Sequence, residues 1–272
     1  MNHVLAFLHG FHSRKLSYST INTARSALSS YLMGFQFSGT PYTVSNHPFI
    51  VRYLKGVFNC RKPAPRYQET WDVNPVLKYI ATLYPLEPLT LKKLTFKLVI
   101  LLALTSGQRC QTLTLLHTDA MTKTQDYYLF RVHDLIKQDR PGKVFDSFFV
   151  LRYPQSRLCV YTTLEHYLDR TTHLRDPQRT GLLLSFVRPH RPVGTSTIGR
   201  WIKIVLGLSG VDTTKFKPHS TRAAAVSKAK HTISTDSILK HIGWSNESTF
   251  RTFYDKPIVE NVNFDKAVLD SN

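Results

Sequence analysis

The densest group of side chains able to do chemistry lies near the carboxyl end of the chain. Pro218-His-Ser-Thr-Arg222 is followed by His241-Ile-Gly-Trp244 and then by Phe253-Tyr254. If 219–222 forms one helical turn, His219 and Arg222 project from the same face, so one phosphate could contact an imidazole and a guanidinium. Such a pair suits phosphoryl transfer, although His-x-x-Arg taken alone is more often a solvated helix face.

The elements that would position these groups follow from hydrophobic periodicity and turn residues. The pair Ser106-Gly107 ends an apolar helix, so Arg109 begins the next one. A β-hairpin with basic residues at its tip is predicted from two β-branched and aromatic runs that flank a Pro-Gly turn. Helices are predicted over 89–104, 109–116, 160–174, 197–208, 220–230, 234–241 and 246–254, and strands over 127–136 and 144–151.

The amino-terminal part carries one predicted amphipathic helix, over 14–34, with Ser and Thr residues available as caps between Ser17 and Thr20. Arg61-Lys-Pro-Ala-Pro-Arg66 combines two prolines with three basic residues, which indicates an extended connector. We therefore predict a helical domain over 1–65 and a larger domain over 66–272. The fold class is mainly α with a small β-sheet.

The amino-acid composition limits which class of partner and which compartment are expected for the protein. The 272 residues include 36 Lys plus Arg against 18 Asp plus Glu, a net charge of +18, which predicts a polyanionic partner without separating DNA from RNA. Three cysteines without a CxxC pair, and the absence of HExxH, predict neither a disulfide framework nor a metal site. The longest apolar run, 98–104, is too short to cross a bilayer, so we expect a soluble, non-secreted protein.

From Arg109 to Tyr254, a little over half of the chain, the order of these groups resembles the tyrosine recombinase (phage integrase) family. The local sequences of 106–112 and 243–254 are most similar to those of recombinases of DIRS-type retrotransposons. The positions that match the family's boxes are Ser106-Gly-Gln-Arg109 for the first arginine, Lys137 for the hairpin lysine, His219 and Arg222 for His-x-x-Arg, Gly243-Trp244, and Tyr254 for the nucleophile.

The resemblance implies DNA cleavage and rejoining through a 3′-phosphotyrosyl intermediate, for site-specific recombination or integration of a mobile element. Tyr254 would attack phosphorus, with His219 as a base, while Arg109 and Arg222 grip the phosphate through bidentate contacts. Lys137 would protonate the leaving 5′ oxygen, and Lys143 on the same hairpin is its rival. No cofactor is needed, because the phosphotyrosyl ester stores the energy of the broken link.

Trp244 would either support the phosphate or pack the tyrosine helix. Two features depart from the family: Thr112 stands where many members have an acidic residue, and the amino-terminal domain is short. The resemblance also implies double-stranded DNA as partner, a homotetramer on paired sites, and a nuclear location in a eukaryotic host or a cytoplasmic one otherwise. We predict that seven basic residues contact DNA phosphates, namely Arg25, Arg61, Lys62, Arg66, Lys92, Lys93 and Lys143.

The sequence is also compatible with three other functions. A type IB topoisomerase shares the tyrosine chemistry but relaxes DNA as a monomer. A domesticated or decayed mobile-element protein would keep DNA affinity and lose catalysis. A basic helical RNA-binding module is the third, and no RNP-like sequence supports it.

Overall fold

A computed structural model describes residues 1–37, 39–63, 67–134, 142, 144–242 and 256–258 of the chain. The chain folds as two compact units, Met1–Arg66 and Tyr67–Asn272. This division lies next to the boundary expected from the proline-rich connector. The resemblance implies DNA binding by the first domain and catalysis by the second, and both roles remain predictions.

The amino-terminal unit contains α1 (Asn2–Ser13), α2 (Tyr18–Tyr31) and α3 (Pro48–Cys60). α2 is shorter than the predicted helix because Ser17 caps it, its side chain accepting a hydrogen bond from the backbone N–H of Thr20. α1 and α3 were not predicted. Their apolar residues pack with those of α2 into one core, whose buried members are Leu8, Ile21, Phe37, Val44, Ile50, Leu54 and Val57.

The second unit is mainly helical. Its longest helix, α5, is buried on nearly all sides from Leu94 to Ala103, as expected of a helix enclosed by others, and α7, α8 and α9 pack against it. α4 was not predicted. The other helices begin within two residues of their predicted starts, and they end within two residues of their predicted ends or, for α7, three residues earlier. The predicted helix over 246–254 lies outside the described residues. The helices are α4 (Val73–Thr82), α5 (Leu91–Ser106), α6 (Cys110–Thr114), α7 (Val160–Thr171), α8 (Thr195–Leu208), α9 (Ser220–Ala229) and α10 (Thr235–Ile242).

A three-stranded antiparallel sheet covers one side of this core, in the order β1 (Met121–Lys123), β2 (Tyr127–Arg131) and β3 (Ser147–Leu151). Tyr127 stands opposite Leu151 in the register of β2 and β3, so the predicted hairpin is present with shorter strands. β1 was not predicted. Most of the tip, 135–141 and 143, lies outside the described residues.

One buried lysine joins separate parts of the second unit. The Nζ of Lys97 donates hydrogen bonds to the carbonyl oxygens of Ile80, Leu83 and Arg157, at 3.3, 2.7 and 2.9 Å. Two of these carbonyls belong to the end of α4, where helix carbonyls lack intrahelical partners. Burial lowers the pKa of Lys97 to about 8.

The predicted fold class, mainly α with a small β-sheet, is confirmed. Among the described residues, no helix combines the length and apolar character needed to span a bilayer. Within the same parts of the chain, His, Cys, Asp and Glu side chains form no group of three that could hold a metal ion.

Candidate functional site

Arg109 follows a tight turn at the end of α5. Gly107 ends the helix in the left-handed conformation, with φ of 59°, which a residue without Cβ adopts easily. The hydroxyl of Ser106 donates to the carbonyl of Leu102 and accepts from the backbone N–H of Gln108, at 2.6 and 3.2 Å. This arginine turn, residues 106–109, ends in the extended backbone of Arg109, and α6 begins at the next residue.

His219 and Arg222 lie at the start of α9. His219 has helical backbone angles and immediately precedes the helix, so the predicted helical turn is present. The His219 side chain is exposed, whereas Arg222 is only 4% exposed. An arginine on an ordinary solvated face would not be buried, since burying a guanidinium is costly. The burial of Arg222 therefore favours a specific role for its charge.

α10 connects the arginine turn with α9. Its residues Ile238 and Ile242 pack against Val226 of α9. The side-chain amide of Gln108 donates to the carbonyl of Ile242 at 3.5 Å, and Nε2 of His241 lies 3.3 Å from the carbonyl of Thr105. The end of α10, immediately before the Gly243-Trp244 pair, is thus held against the turn that carries Arg109.

Residues 256–258 are fixed to the same unit. The hydroxyl of Ser227 donates to the carbonyl of Lys256 at 2.9 Å and accepts from its backbone N–H at 3.4 Å. The backbone N–H of Thr70 donates to the carbonyl of Pro257 at 2.8 Å, and Thr70 forms a parallel bridge with Ile258. Ser227 lies on α9, five positions after Arg222, so this segment returns to the helix that carries the buried arginine.

Five of the predicted site residues lie outside the described residues, namely Arg66, Lys137, Lys143, Trp244 and Tyr254. The structure therefore describes the arginine turn and the start of α9, and it describes the chain again from two residues after Tyr254. The roles predicted for the whole set remain predictions.

The predicted phosphate contacts of the second unit lie far along α5 from Arg109. Lys92 and Lys93 are exposed in the first turn of α5, and a helix of 16 residues is about 24 Å long. Nζ of Lys92 lies 5.7 Å from the ring centroid of Phe96. These lysines could contact DNA only at a distance from a phosphate held by Arg109.

Among the described residues of the first unit, two of the predicted phosphate contacts form hydrogen bonds within the protein and one is exposed. Arg25 donates to the side chain of Asn22 at 3.0 Å. Arg61 donates to the carbonyls of His12 and Leu16, both at 3.3 Å, so it also holds the link between α1 and α2. The side chain of Lys62 is exposed.

Sequence reasoning missed the residues that surround the start of α9. The indole N–H of Trp71 donates to the hydroxyl of Ser220 at 2.9 Å. The hydroxyl of Tyr67 lies 3.4 Å from Nε2 of His219. Their signal in the sequence was two aromatic residues within five positions of the proline-rich connector, and such residues are usually packed in a core.

Comparison with solved structures gives the class of fold. The fold is similar to that of tyrosine recombinases, as the resemblance of the sequence motifs predicted. No model of a protein family matches the chain. No curated protein sequence matches it either.

Three solved structures illustrate this similarity. XerH recombinase bound to a palindromic difH substrate is 15% identical with a TM-score of 0.63, over 98% of this chain and 70% of that one. The integrase of transposon Tn1549 with transposon right-end DNA is 13% identical with a TM-score of 0.60, over 98% and 82%. A lambda integrase dimer on a COC′ core site is 14% identical with a TM-score of 0.52, over 94% and 80%. At this level of identity the likeness establishes the fold.

Proposed function

We propose that the chain cuts and rejoins duplex DNA through a 3′-phosphotyrosyl intermediate at Tyr254. The observation that carries the proposal is the buried Arg222 next to the exposed His219 at the start of α9. Their helix packs on α10, and the end of α10 contacts the arginine turn of Arg109. The arginine turn, α9 and α10, whose residues are distant in sequence, thus belong to one network of contacts.

The two arginines would stabilise charge on the reacting phosphate. A guanidinium binds two phosphate oxygens at once, and its effect on a pentacovalent state is greater where water is excluded. Arg222 satisfies the second condition because it is buried. A lysine in its place would keep the charge and lose the bidentate geometry.

The nucleophile and the proton donors complete the proposed site. A free phenol has a pKa of roughly 10, so a phenol nucleophile needs positive neighbours or a proton acceptor near neutral pH. We assign this environment to Arg109, Arg222 and His219. Lys137 is the proposed acid for the leaving 5′ oxygen, with Lys143 as rival, and Trp244 supports the phosphate or the tyrosine segment.

The segment 256–258, which follows the predicted nucleophile in sequence, is anchored on α9. Ser227 holds Lys256 on the helix that carries Arg222. We take this anchor, two positions after Tyr254 in sequence, as support for that tyrosine as the nucleophile.

The finer parts of the proposal concern the biological setting. The net charge of +18 suits a DNA partner. We propose site-specific recombination or integration of a mobile element, on the resemblance to DIRS-type recombinases, without a cofactor. In a eukaryotic host the protein would act in the nucleus.

Assembly of several copies on DNA is part of the same proposal. In the described part of the sheet, β3 is an edge strand, and it exposes 51% of Phe149 and 60% of Leu151. A cavity of about 590 Å³ lies between this strand and α5. Exposed apolar side chains on an open edge favour contact with another protein surface, and in a recombinase the second copy is the natural occupant.

A suicide-substrate trap tests the proposed function directly. The protein is incubated with a pool of nicked duplexes of randomised sequence, in which the short strand beyond the nick diffuses away after cleavage. We expect a covalent protein–DNA adduct with wild type, none with Tyr254→Phe, and at least a 100-fold loss with Arg222→Lys. Tyr84→Phe is a matched control at an exposed tyrosine.

The other outcomes separate the rival functions. Binding of the duplexes without any adduct would establish a DNA-binding protein that has lost catalysis. Relaxation of supercoiled plasmid lacking any specific site would instead point to a type IB topoisomerase. Preference for RNA over duplex DNA in competition would contradict all of these.

A further inference from the structure

Residues 185–191 form an exposed turn in the second unit. Ser185 joins its two sides, because its backbone N–H donates to the carbonyl of Arg191 at 2.8 Å and its hydroxyl donates to the carbonyl of Val187 at 2.9 Å. The backbone N–H of His190 donates to the carbonyl of Val187 at 3.0 Å, and Nδ1 of His190 lies 2.9 Å from the carbonyl of Ser185. The backbone of this turn is therefore held by its own hydrogen bonds.

The turn carries exposed positive charge. Arg188 and Arg191 are both exposed, and in the part of the chain that the structure describes no carboxylate forms an ion pair with either guanidinium. Other exposed cations of the unit do have such partners, as Lys123 pairs with Glu165. Residues 177–211 include five Lys or Arg and no Asp or Glu. A stretch of purely positive charge attracts a polyanion.

The base of the turn packs against the first half of α5. The ring centroid of Phe186 lies 5.7 Å from that of Phe96 and 5.3 Å from that of Trp201. Nζ of Lys92, in the first turn of α5, lies 5.9 Å from the centroid of the Phe186 ring. The exposed cations of α5 and of the turn thus occupy neighbouring parts of one surface. We call them the basic ridge: Lys92, Lys93, Arg188 and Arg191.

The separation between the basic ridge and the arginine turn suits two contacts on one duplex. The path along α5 from Phe96 to Arg109 measures about 20 Å at the rise of an α-helix. Along duplex DNA this length corresponds to about six base pairs. A phosphate about six base pairs from one held by Arg109 is therefore at a suitable distance to meet the ridge.

We propose that the basic ridge is a second contact surface for the duplex whose scissile phosphate is held by Arg109, a step that rests on the proposed function. Arg188 and Arg191 each bind one backbone phosphate, about six base pairs from the scissile linkage. Because the turn is already held by its own hydrogen bonds, binding orders only side chains. Phosphate contacts carry no sequence information, so the ridge raises affinity for any duplex and positions the linkage that is cut.

The salt dependence of duplex binding tests this contact without cleavage. Fluorescence anisotropy gives the affinity of the full chain for duplex DNA over a range of salt concentrations. In the ridge variant, Arg188→Gln/Arg191→Gln, the slope of log affinity against log salt should fall in magnitude by about 2, or about 1 for each lost phosphate contact. Equal slopes for wild type and the ridge variant overturn the proposal.

A charge-matched control separates a specific contact from the loss of net charge. Lys123→Gln/Arg179→Gln also removes two exposed positive charges, at positions that form ion pairs outside the ridge. Its slope should differ from that of wild type by less than about 0.5. Both double variants change exposed side chains, so both should unfold at the wild-type urea concentration. A change in slope as large as that of the ridge variant contradicts the assignment.

Neutral DNA backbones test the distance in the adduct assay. Methylphosphonates replace the phosphates from about the fifth base pair outward from the nick on both arms of the duplex. At subsaturating protein, wild type should form adduct at least about threefold faster than the ridge variant on ordinary duplexes, and at the same rate on the neutral ones. A wild-type advantage that persists on neutral arms, or none on ordinary arms, overturns the placement of the contact.

Failure of the proposed function remains distinguishable from failure of this inference. If wild type forms no adduct, the cleavage function fails, while the salt slopes still decide whether the ridge binds duplex DNA. If the ridge variant alters the slope for duplex RNA and leaves that for DNA unchanged, the partner is RNA and the inference is wrong. If Tyr254→Phe abolishes the adduct while the ridge variant behaves as wild type, cleavage stands and the ridge is an ordinary solvated surface.

Discussion

The indole N–H of Trp71 donates a hydrogen bond of 2.9 Å to the hydroxyl of Ser220, and the bond is buried. These residues are 149 positions apart in sequence, so the bond joins the beginning of the second unit to the helix that carries Arg222. Ser220 lies between His219 and Arg222 in sequence. The geometry of the proposed phosphate site therefore depends on a residue that matches none of the family's motifs.

Replacing Trp71 by Phe should destabilise the second unit by about 1–3 kcal/mol, because the buried Ser220 hydroxyl loses its donor and the core loses apolar area. Urea unfolding measures the free-energy change. Ser220→Ala serves as the matched partner in a double-mutant cycle. If the bond matters, Trp71→Phe costs about 1 kcal/mol less in the Ser220→Ala background, and strictly additive losses would show that it does not.

Replacing Gly107 by Ala should strain the arginine turn. The backbone φ is 59°, and an added Cβ would lie 3.2 Å from Cδ1 of Ile242 on α10. We expect a loss of about 1–2 kcal/mol in unfolding free energy, together with reduced adduct formation. Gly207→Ala is the control, since its Cβ would meet only ordinary contact at 3.8 Å. An unchanged unfolding free energy for Gly107→Ala would contradict the conformation of the turn.

The stability of the second unit should depend on pH through Lys97. Its folded pKa of about 8 lies below the ordinary value of 10.5, so between these values the unfolded state binds more protons. Stability then rises with pH across that interval. From pH 7 to pH 10, wild type should gain on the order of 2 kcal/mol relative to Lys97→Met.

This pH effect can be read from tryptophan fluorescence during urea unfolding, because all three tryptophans lie in the second unit. Other groups titrate in the same range, and the comparison with Lys97→Met removes their contribution. Parallel pH profiles for the two proteins would mean that Lys97 keeps its ordinary pKa.

Replacing Ser227 by Ala should release the segment after Tyr254. Lys256 loses both hydrogen bonds to the Ser227 hydroxyl, and the neighbouring bond from Thr70 to Pro257 should open more often. We expect at least a 10-fold faster hydrogen exchange of the Thr70 amide and slower adduct formation. Ser209→Ala is the control, because that hydroxyl bonds only the carbonyl of Val205 in its own helix among the described contacts. Unchanged exchange at Thr70 would refute the anchor.

Local patterns determined much of the helical framework. The buried face of α8, with Ile198, Trp201, Ile202 and Val205, follows from a 3.6-residue period, because that period places these side chains on one side of a helix. The left-handed Gly107 and the helix start after Arg109 were also predictable, since they rest on the conformational freedom of one residue. α1, α3, α4 and β1 were not predicted, although the buried residues of α3, Ile50, Leu54 and Val57, recur at helical spacing.

The motifs in the sequence determined which residues to consider, namely Arg109, His219, Arg222 and Tyr254, and with them the expected fold. Only the tertiary structure decided that Arg222 is buried and that the end of α10 lies against the arginine turn. It also decided that Tyr67 and Trp71 contact the start of α9 and that Ser227 of this helix holds Lys256. The physical reason is the separation along the sequence of the residues that interact. Helix caps and turns depend on neighbours within four residues, whereas these contacts join residues 29 to 152 positions apart, and no local pattern encodes which distant surfaces will pack together.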